Sequence, residues 1–293
     1  MKTYREYRDF LSEYFEFKVQ KIAIDAGFTC PNRDGSKGTG GCIYCTNKAF
    51  NPRYCDAAMG VTAQIDAGKQ FWDQKYQDMR YLAFFQAHTS TYAPLPVLRS
   101  RYEEALAVDG VVGLVIATRP DCVDDELLGY LAKLKQRTFV MLEFGVESLQ
   151  DETLQRINRC HDAACVLDAI NRSAAQGIPI GVHLILGLPG ETRAQMLATV
   201  DSMTALPIST IKFHQLQVLR GTCLAQMIER GDDCEIMHWS AEEYAQFCAE
   251  IIAHIPKHIA IERLVSESPS DMLISPRWGL KPQEFRALLQ QYL

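Results

Sequence analysis

Three cysteines dominate the chemistry this sequence can do. GFTCPNRDGSKGTGGCIYC places Cys30, Cys42 and Cys45 in a C-x11-C-x2-C arrangement within one glycine-rich loop. The C-x2-C pair lets two neighbouring sulfurs face one centre, and Gly35, Gly38, Gly40 and Gly41 permit the tight backbone that carries Cys30 back to them. Three ligands is the informative count. A cubane [4Fe–4S] cluster ordinarily takes four cysteines, so a three-cysteine site leaves one iron open to something else. Zinc is the competing reading, with Cys55, His88 or His214 as fourth ligand. On that reading the chain is a zinc-stabilised binding protein without redox chemistry. Tyr44 precedes the last cysteine, where an aromatic ring can pack against a flat ligand at the open iron.

The elements that must position this loop follow a βα rhythm. Six apolar, β-rich runs read as strands: QKIAIDA (20–26), YLAFFQA (81–87), VVGLVIAT (111–118), TFVMLEFGV (138–146), IPIGVHLIL (178–186) and TIKFHQLQV (210–218). Helical patterns separate them. The clearest begins at Asp124 and Asp125 and carries Leu127, Leu128, Leu131 and Leu134 as one apolar stripe. Further helices are predicted at 240–253 and 282–293. Six units fall short of the closed eight-unit barrel, so the expected fold is α/β, a partial (βα)6 TIM-like barrel with short N- and C-terminal extensions. The expected division is an N-terminal extension at 1–19, a barrel core at 20–235 and a C-terminal helical extension at 236–293. In such folds chemistry sits at the C-terminal ends of the strands. The cysteine loop follows the first strand, as that rule requires.

Composition narrows the setting. The 293 residues hold 30 Lys+Arg against 36 Asp+Glu and are 47% hydrophobic, which excludes disorder, collagen-like repeats and coiled coil. The charge of −6 gives no support for a strongly basic nucleic-acid surface. The N-terminus is charged throughout, and the longest apolar stretch, at 178–189, is too short to span a bilayer. A cytoplasmic protein without membrane contact is expected. Ten cysteines in a reducing compartment then point to metal or catalysis rather than disulfides.

CPNRDGSKGTGGCIYC resembles the cluster loop of the radical S-adenosylmethionine (SAM) superfamily, its YhcC-type members above all. GVESLQDETLQRINRCHD (145–162), HLILGLPGE (183–191) and VLRGT (218–222) are similar to segments of the elongator catalytic subunit, the methylthiotransferases and the oxygen-independent coproporphyrinogen oxidases. The resemblance implies a [4Fe–4S] cluster on Cys30, Cys42 and Cys45, with SAM chelating the fourth iron through its amino and carboxylate groups. It also implies one-electron cleavage of SAM to a 5′-deoxyadenosyl radical that abstracts hydrogen, and a reductant such as flavodoxin or ferredoxin.

Other positions suit the cofactor. QAHTSTYA, after the second strand, offers Gln86, His88, Thr89, Ser90 and Thr91 as hydrogen-bonding groups where a SAM amino group can dock. Glu143 and Glu147 share one face of the fourth strand, and Glu147 matches the family's ribose-contacting Glu/Gln. Arg159 matches the arginine near the SAM carboxylate, and His183 the polar residue that several relatives turn to the nucleoside. The glycines of LGLPGE (186–191) permit close approach to adenine. His214, Gln215 and Gln217 alternate with apolar neighbours, so inward members can touch substrate. The other seven cysteines lack a second C-x2-C pattern, so no auxiliary cluster is expected. Similarity to the elongator subunit and the methylthiotransferases points to a base in tRNA, with Arg33, Lys37, Lys48 and Arg53 to meet phosphates. The acidic balance favours a small metabolite or peptide instead.

Overall fold

The computed structural model describes residues 3–46, 49, 51–73, 79–232 and 234–293. Seven strands form one parallel sheet that curls into a half-barrel. In chain order they are β1 (Val19–Ile24), β2 (Arg80–Phe85), β3 (Val111–Thr118), β4 (Phe139–Glu147), β5 (Ile180–Leu186), β6 (Thr210–Gln215) and, after the short β7 (Val218–Leu219), β8 (Ala260–Arg263). β7 pairs instead with β9 (Leu273–Ser275) in an antiparallel ribbon. The sequence reading of six strands is thus short by one. β8 lies in the segment read as a helical extension, and its four residues are too few to establish a period. The predicted sixth strand also stops at Gln215, and its tail supplies β7.

Helices cross between successive strands: α2 (Val61–Asp73) after α1 (Tyr7–Leu11), then α3 (Leu95–Leu106), α4 (Asp125–Leu134), α5 (Asp151–Arg156), α6 (Ala163–Ala175) and α7 (Arg193–Thr204). After β6 come α8 (Cys223–Glu229), α9 (Ala241–Ala253) and α10 (Pro282–Leu289). α4 shows why such segments fold locally. The Asp124 carboxylate accepts from Leu127 N at the N-cap, and all four leucines of its stripe are buried.

Strand alternation divides the molecule into two layers. Ile22, Ile24, Ala83, Phe85, Leu114, Ile116, Leu142 and Val182 pack in the large core that includes the crossing helices. On the other face Ala23, Leu82, Phe84, Val115, Phe139 and Met141 form a second cluster, which Phe10 and Leu11 of α1 close. Fully charged residues also occupy this concave row, at Lys21, Glu143, Lys212 and Glu262.

Candidate active site

The loop after β1 is fixed by its own backbone. Arg33 N and Asp34 N donate to Cys30 O, Gly41 N donates to Asn32 O at 2.7 Å, and Cys45 N donates to Cys42 O at 3.0 Å. The last bond is the turn that brings the two sulfurs of the C-x2-C pair together. Gly40 and Gly41 adopt φ of 78° and 79°, which only glycine takes without strain. Asn158 Nδ2 donates to Gly41 O at 2.8 Å and Thr39 O at 3.2 Å, tying the loop to the segment after α5.

Cys30, Cys42 and Cys45 all line one cavity of about 930 Å³ at the mouth of the half-barrel. Tyr44, Gln86, Thr89, Glu147, Arg159 and His183 line it too, as do His88, His214, Gln215 and Gln217, whereas Ser90 and Thr91 do not. Burial and the neighbouring Cys42 push the Cys45 thiol up, while Arg33 pulls it down. Arg159 Nη1 donates to Cys42 Sγ at 3.5 Å, its Nη2 donates to Gly145 O, and Glu147 lies 3.6 Å away. Glu147 sits at a register shift in β4 with φ of 67°, a conformation unusual outside glycine and common where a side chain is re-aimed at a site.

The donor set fits an iron–sulfur cluster with a bound small molecule. Three cysteine residues on one cavity wall are the donors such a cluster takes. Thr89 Oγ1, Arg119 Nη1 and Arg159 Nε are buried without a hydrogen-bond partner, and all three residues line this cavity. Buried donors left this way call for a ligand or water. Gly145 adds a cradle: a β-carbon there would stand 2.8 Å from Glu147 Oε1 and 2.9 Å from Arg159 Nη2.

Cys55 is no part of the wall. It is buried in the apolar cluster on the concave face, and burial pushes its thiol up to about 12, away from the thiolate a metal needs. The LGLPGE turn is also elsewhere: Gly187 packs against Trp239 and Gly190 against Arg156. Of the basic residues, Arg33 and Arg53 line the cavity, Lys37 is paired with Asp121 at 2.8 Å, and Lys48 lies outside the described residues.

The floor of the cavity is a charge network that sequence reading missed. Glu143, 1% exposed, meets Lys21, Lys212 Nζ at 3.2 Å and His183 Nε2 at 2.9 Å. Glu262 closes the ring, 2.9 Å from Lys21 and 2.7 Å from Lys212. Burial opposes ionisation of Glu143, but Lys21 and Lys212 outweigh it and hold the carboxyl well below its ordinary range. Glu143 is therefore committed to its lysines rather than free for a ribose. Burial lowers the His183 pKa, so its ring is neutral and fixed by Glu143. The missed signal was charge set among apolar strand residues, at Lys21, Glu143 and Lys212.

Residues 32–203 match the radical SAM superfamily, and residues 208–293 match the radical SAM C-terminal domain. The chain is 35% identical over 292 residues to the uncharacterised protein YtqA of Bacillus subtilis, covering 100% of this chain and 90% of that one. It is also 35% identical over 269 residues to YhcC of Escherichia coli, covering 92% and 85%. A tRNA uridine(34) acetyltransferase of Methanocaldococcus infernus is 24% identical over 185 residues, 62% of this chain but 33% of that protein. The structure of Elp3 from the same archaeon superposes with a TM-score of 0.66 at 18% identity, covering 93% of this chain and 62% of that one. This last likeness is one of fold. No helix among the described residues is long and apolar enough to cross a membrane.

Proposed function

This chain belongs to the radical SAM superfamily, and on that premise we propose that Cys30, Cys42 and Cys45 hold its [4Fe–4S] cluster while SAM lies in the cavity beside them. The observation that carries the reading is the shared wall: three cysteines together with the unpartnered buried donors of Thr89, Arg119 and Arg159. When bound, the cluster and SAM supply one-electron cleavage of a C–S bond and, from it, a radical that takes hydrogen from carbon.

The chain's residues supply position, charge and dryness. Arg159 places a fixed cation against the Cys42 sulfur and keeps Nε free for a carboxylate. Glu147 offers acceptors for ribose hydroxyls, while Gln86 and the Thr89 hydroxyl offer partners for the cofactor's amino group. Tyr44 and His183 complete its surroundings. α1 and the apolar cluster under the floor exclude water from below. Electrons come from an external reductant of the flavodoxin or ferredoxin type. The test is anaerobic purification, iron and sulfide analysis, and dithionite-driven formation of 5′-deoxyadenosine from SAM. A chain carrying zinc without iron and sulfide would end the reading.

Two substrate classes are proposed, a base in tRNA and a small metabolite or peptide. Similarity to the tRNA uridine(34) acetyltransferase supports the first, as do Arg33, Arg53 and the 54%-exposed Phe71 on the cavity wall. Cations for phosphate beside an exposed ring for stacking suit an unpaired nucleotide. The check is a comparison of modified nucleosides in total tRNA from wild-type and deletion strains. An unchanged profile points to a small metabolite or peptide, which the charged floor favours.

A further inference from the structure

The concave row of charge extends past the lysine–glutamate ring. β8 ends at Arg263, which a register shift sets opposite Lys212. Its Nη2 stands 3.1 Å from both ring nitrogens of His214, and among the described residues it has no ion pair. Arg263 is exposed at the cavity wall and stays charged. The acids around it are Glu262 and Glu143, both committed to the lysines, and Glu267, exposed on the same wall. Three residues on, the chain is clamped to the wall. Gln215 Nε2 donates to Ser266 O at 2.7 Å and Gln215 Oε1 accepts from Ser266 N at 2.7 Å, with Gln217 Nε2 adding a second bond to Ser266 O at 3.2 Å. The clamp leaves Ser266 4% exposed on the cavity wall, its hydroxyl buried without a partner.

We propose that Arg263, His214 and Ser266 form an anchor for a carboxylate of the substrate, at the other edge of the sheet from the cysteine loop. The inference rests on the radical SAM reading of this cavity and takes its substrate to be the small metabolite or peptide. The planar guanidinium matches a carboxylate bidentately. Burial and the Arg263 charge hold the His214 pKa well below its ordinary value, so the ring is neutral: one nitrogen accepts from Arg263 and the other is a donor beside the Ser266 hydroxyl. Lys21 and Lys212 pair with Glu143 and Glu262, so among the described residues Arg263 is left without an ion-pair contact, although Glu267 lies on the same wall. Glu267 disfavours a polyanion such as an RNA backbone. The cavity, at about 930 Å³, lies at the upper end of the roughly 300–1,000 Å³ range of small-ligand sites, so it has room for substrate beside a nucleoside-sized cofactor.

The test titrates acetate, propionate and dimethyl phosphate onto the anaerobically purified, cluster-loaded chain by saturation-transfer NMR, with SAM saturating. Acetate and propionate are expected to bind, dimethyl phosphate more weakly. Arg263→Gln should weaken carboxylate binding about tenfold and Ser266→Ala about threefold. Carboxylate binding that is unchanged in both variants, or that SAM abolishes, overturns the anchor, and tighter dimethyl phosphate binding replaces it with an RNA phosphate site. If Arg263→Gln fails to fold, Ser266→Ala carries the test, since it removes one oxygen. SAM cleavage by the wild-type chain is read separately. Carboxylate binding without cleavage sinks the radical reading and leaves the anchor, and cleavage without the variants' effect sinks the anchor alone.

Discussion

The guanidinium of Arg159 stands 3.5 Å from the sulfur of Cys42 and also donates to Gly145 O, so one buried cation joins the cysteine loop to the end of β4. Arg159→Met leaves both partners without it in a buried setting. That variant should lose about 3 kcal/mol of stability and shed iron on anaerobic desalting. Arg159→Lys keeps the charge but not the fork and should fall between. Denaturant unfolding with iron analysis checks this; wild-type values for Arg159→Met would show the contact to be idle.

Alanine at Cys30, Cys42 or Cys45 should each abolish iron and sulfide retention together with SAM cleavage, because each thiol faces the cavity. Cys55→Ala should retain both, since Cys55 is buried in the apolar cluster on the concave face. Iron analysis of the four anaerobically purified variants decides. A Cys42→Ala chain that keeps its iron would show the ligand assignment to be wrong.

The strands were legible because a sheet covered on both faces is written in near-continuous apolar runs, and VVGLVIAT at 111–118 lies in β3 residue for residue. The cysteine loop was legible because its spacing is local. The charge ring was not, because Lys21 and Glu262 are 241 residues apart and meet only when the sheet curls. Lys21, Glu143 and Lys212 nonetheless each stand as a single charge among apolar neighbours, in KIAI, MLEF and IKFH, while Glu262 is followed by Arg263 in AIER. A lone charge at a buried strand position needs a partner on a neighbouring strand. Ser266 gave no such signal, since its orphaned hydroxyl is a product of the Gln215 clamp.

Lys212→Met should be costly, because it strips one cation from between Glu143 and Glu262 and leaves buried negative charge in excess. The expected loss is about 3–5 kcal/mol. Adding Glu143→Gln to the same chain should recover part of it, since the uncompensated charge is then gone. A double-mutant cycle in denaturant measures the coupling. Strictly additive losses would mean that the ring contributes no pairwise energy.

Gly145→Ala perturbs the Glu147–Arg159 pair. Its β-carbon would crowd Glu147 Oε1 at 2.8 Å and Arg159 Nη2 at 2.9 Å. Moving Arg159 off Gly145 O should cost about 1–2 kcal/mol, less than Arg159→Met, and SAM affinity should fall roughly tenfold because both displaced groups line the cavity. Binding isotherms and thermal melts on the anaerobic protein test both. Unaltered SAM affinity would remove Glu147 and Arg159 from the cofactor's contacts.

Glu191 gives the protein a pH dependence of defined sign. It is 4% exposed and accepts from Ser148 Oγ, bracing the loop after β4 against the turn after β5. Burial pushes its carboxyl up to about 7 from an ordinary 4.5, against the opposing hydrogen bonds from Ser148 and Thr153. The folded state therefore holds this proton more tightly than the unfolded chain does. Its contribution to stability is complete below the unfolded value, declines as pH rises, and is gone above the folded one. Between pH 5 and pH 8 the wild-type chain should lose roughly 1–3 kcal/mol at this group. Glu191→Gln removes that slope, so the variant should gain on the wild type at pH 8 but not at pH 5. Urea unfolding at the two pH values is the measurement, and parallel pH profiles would show that Glu191 ionises normally in the fold.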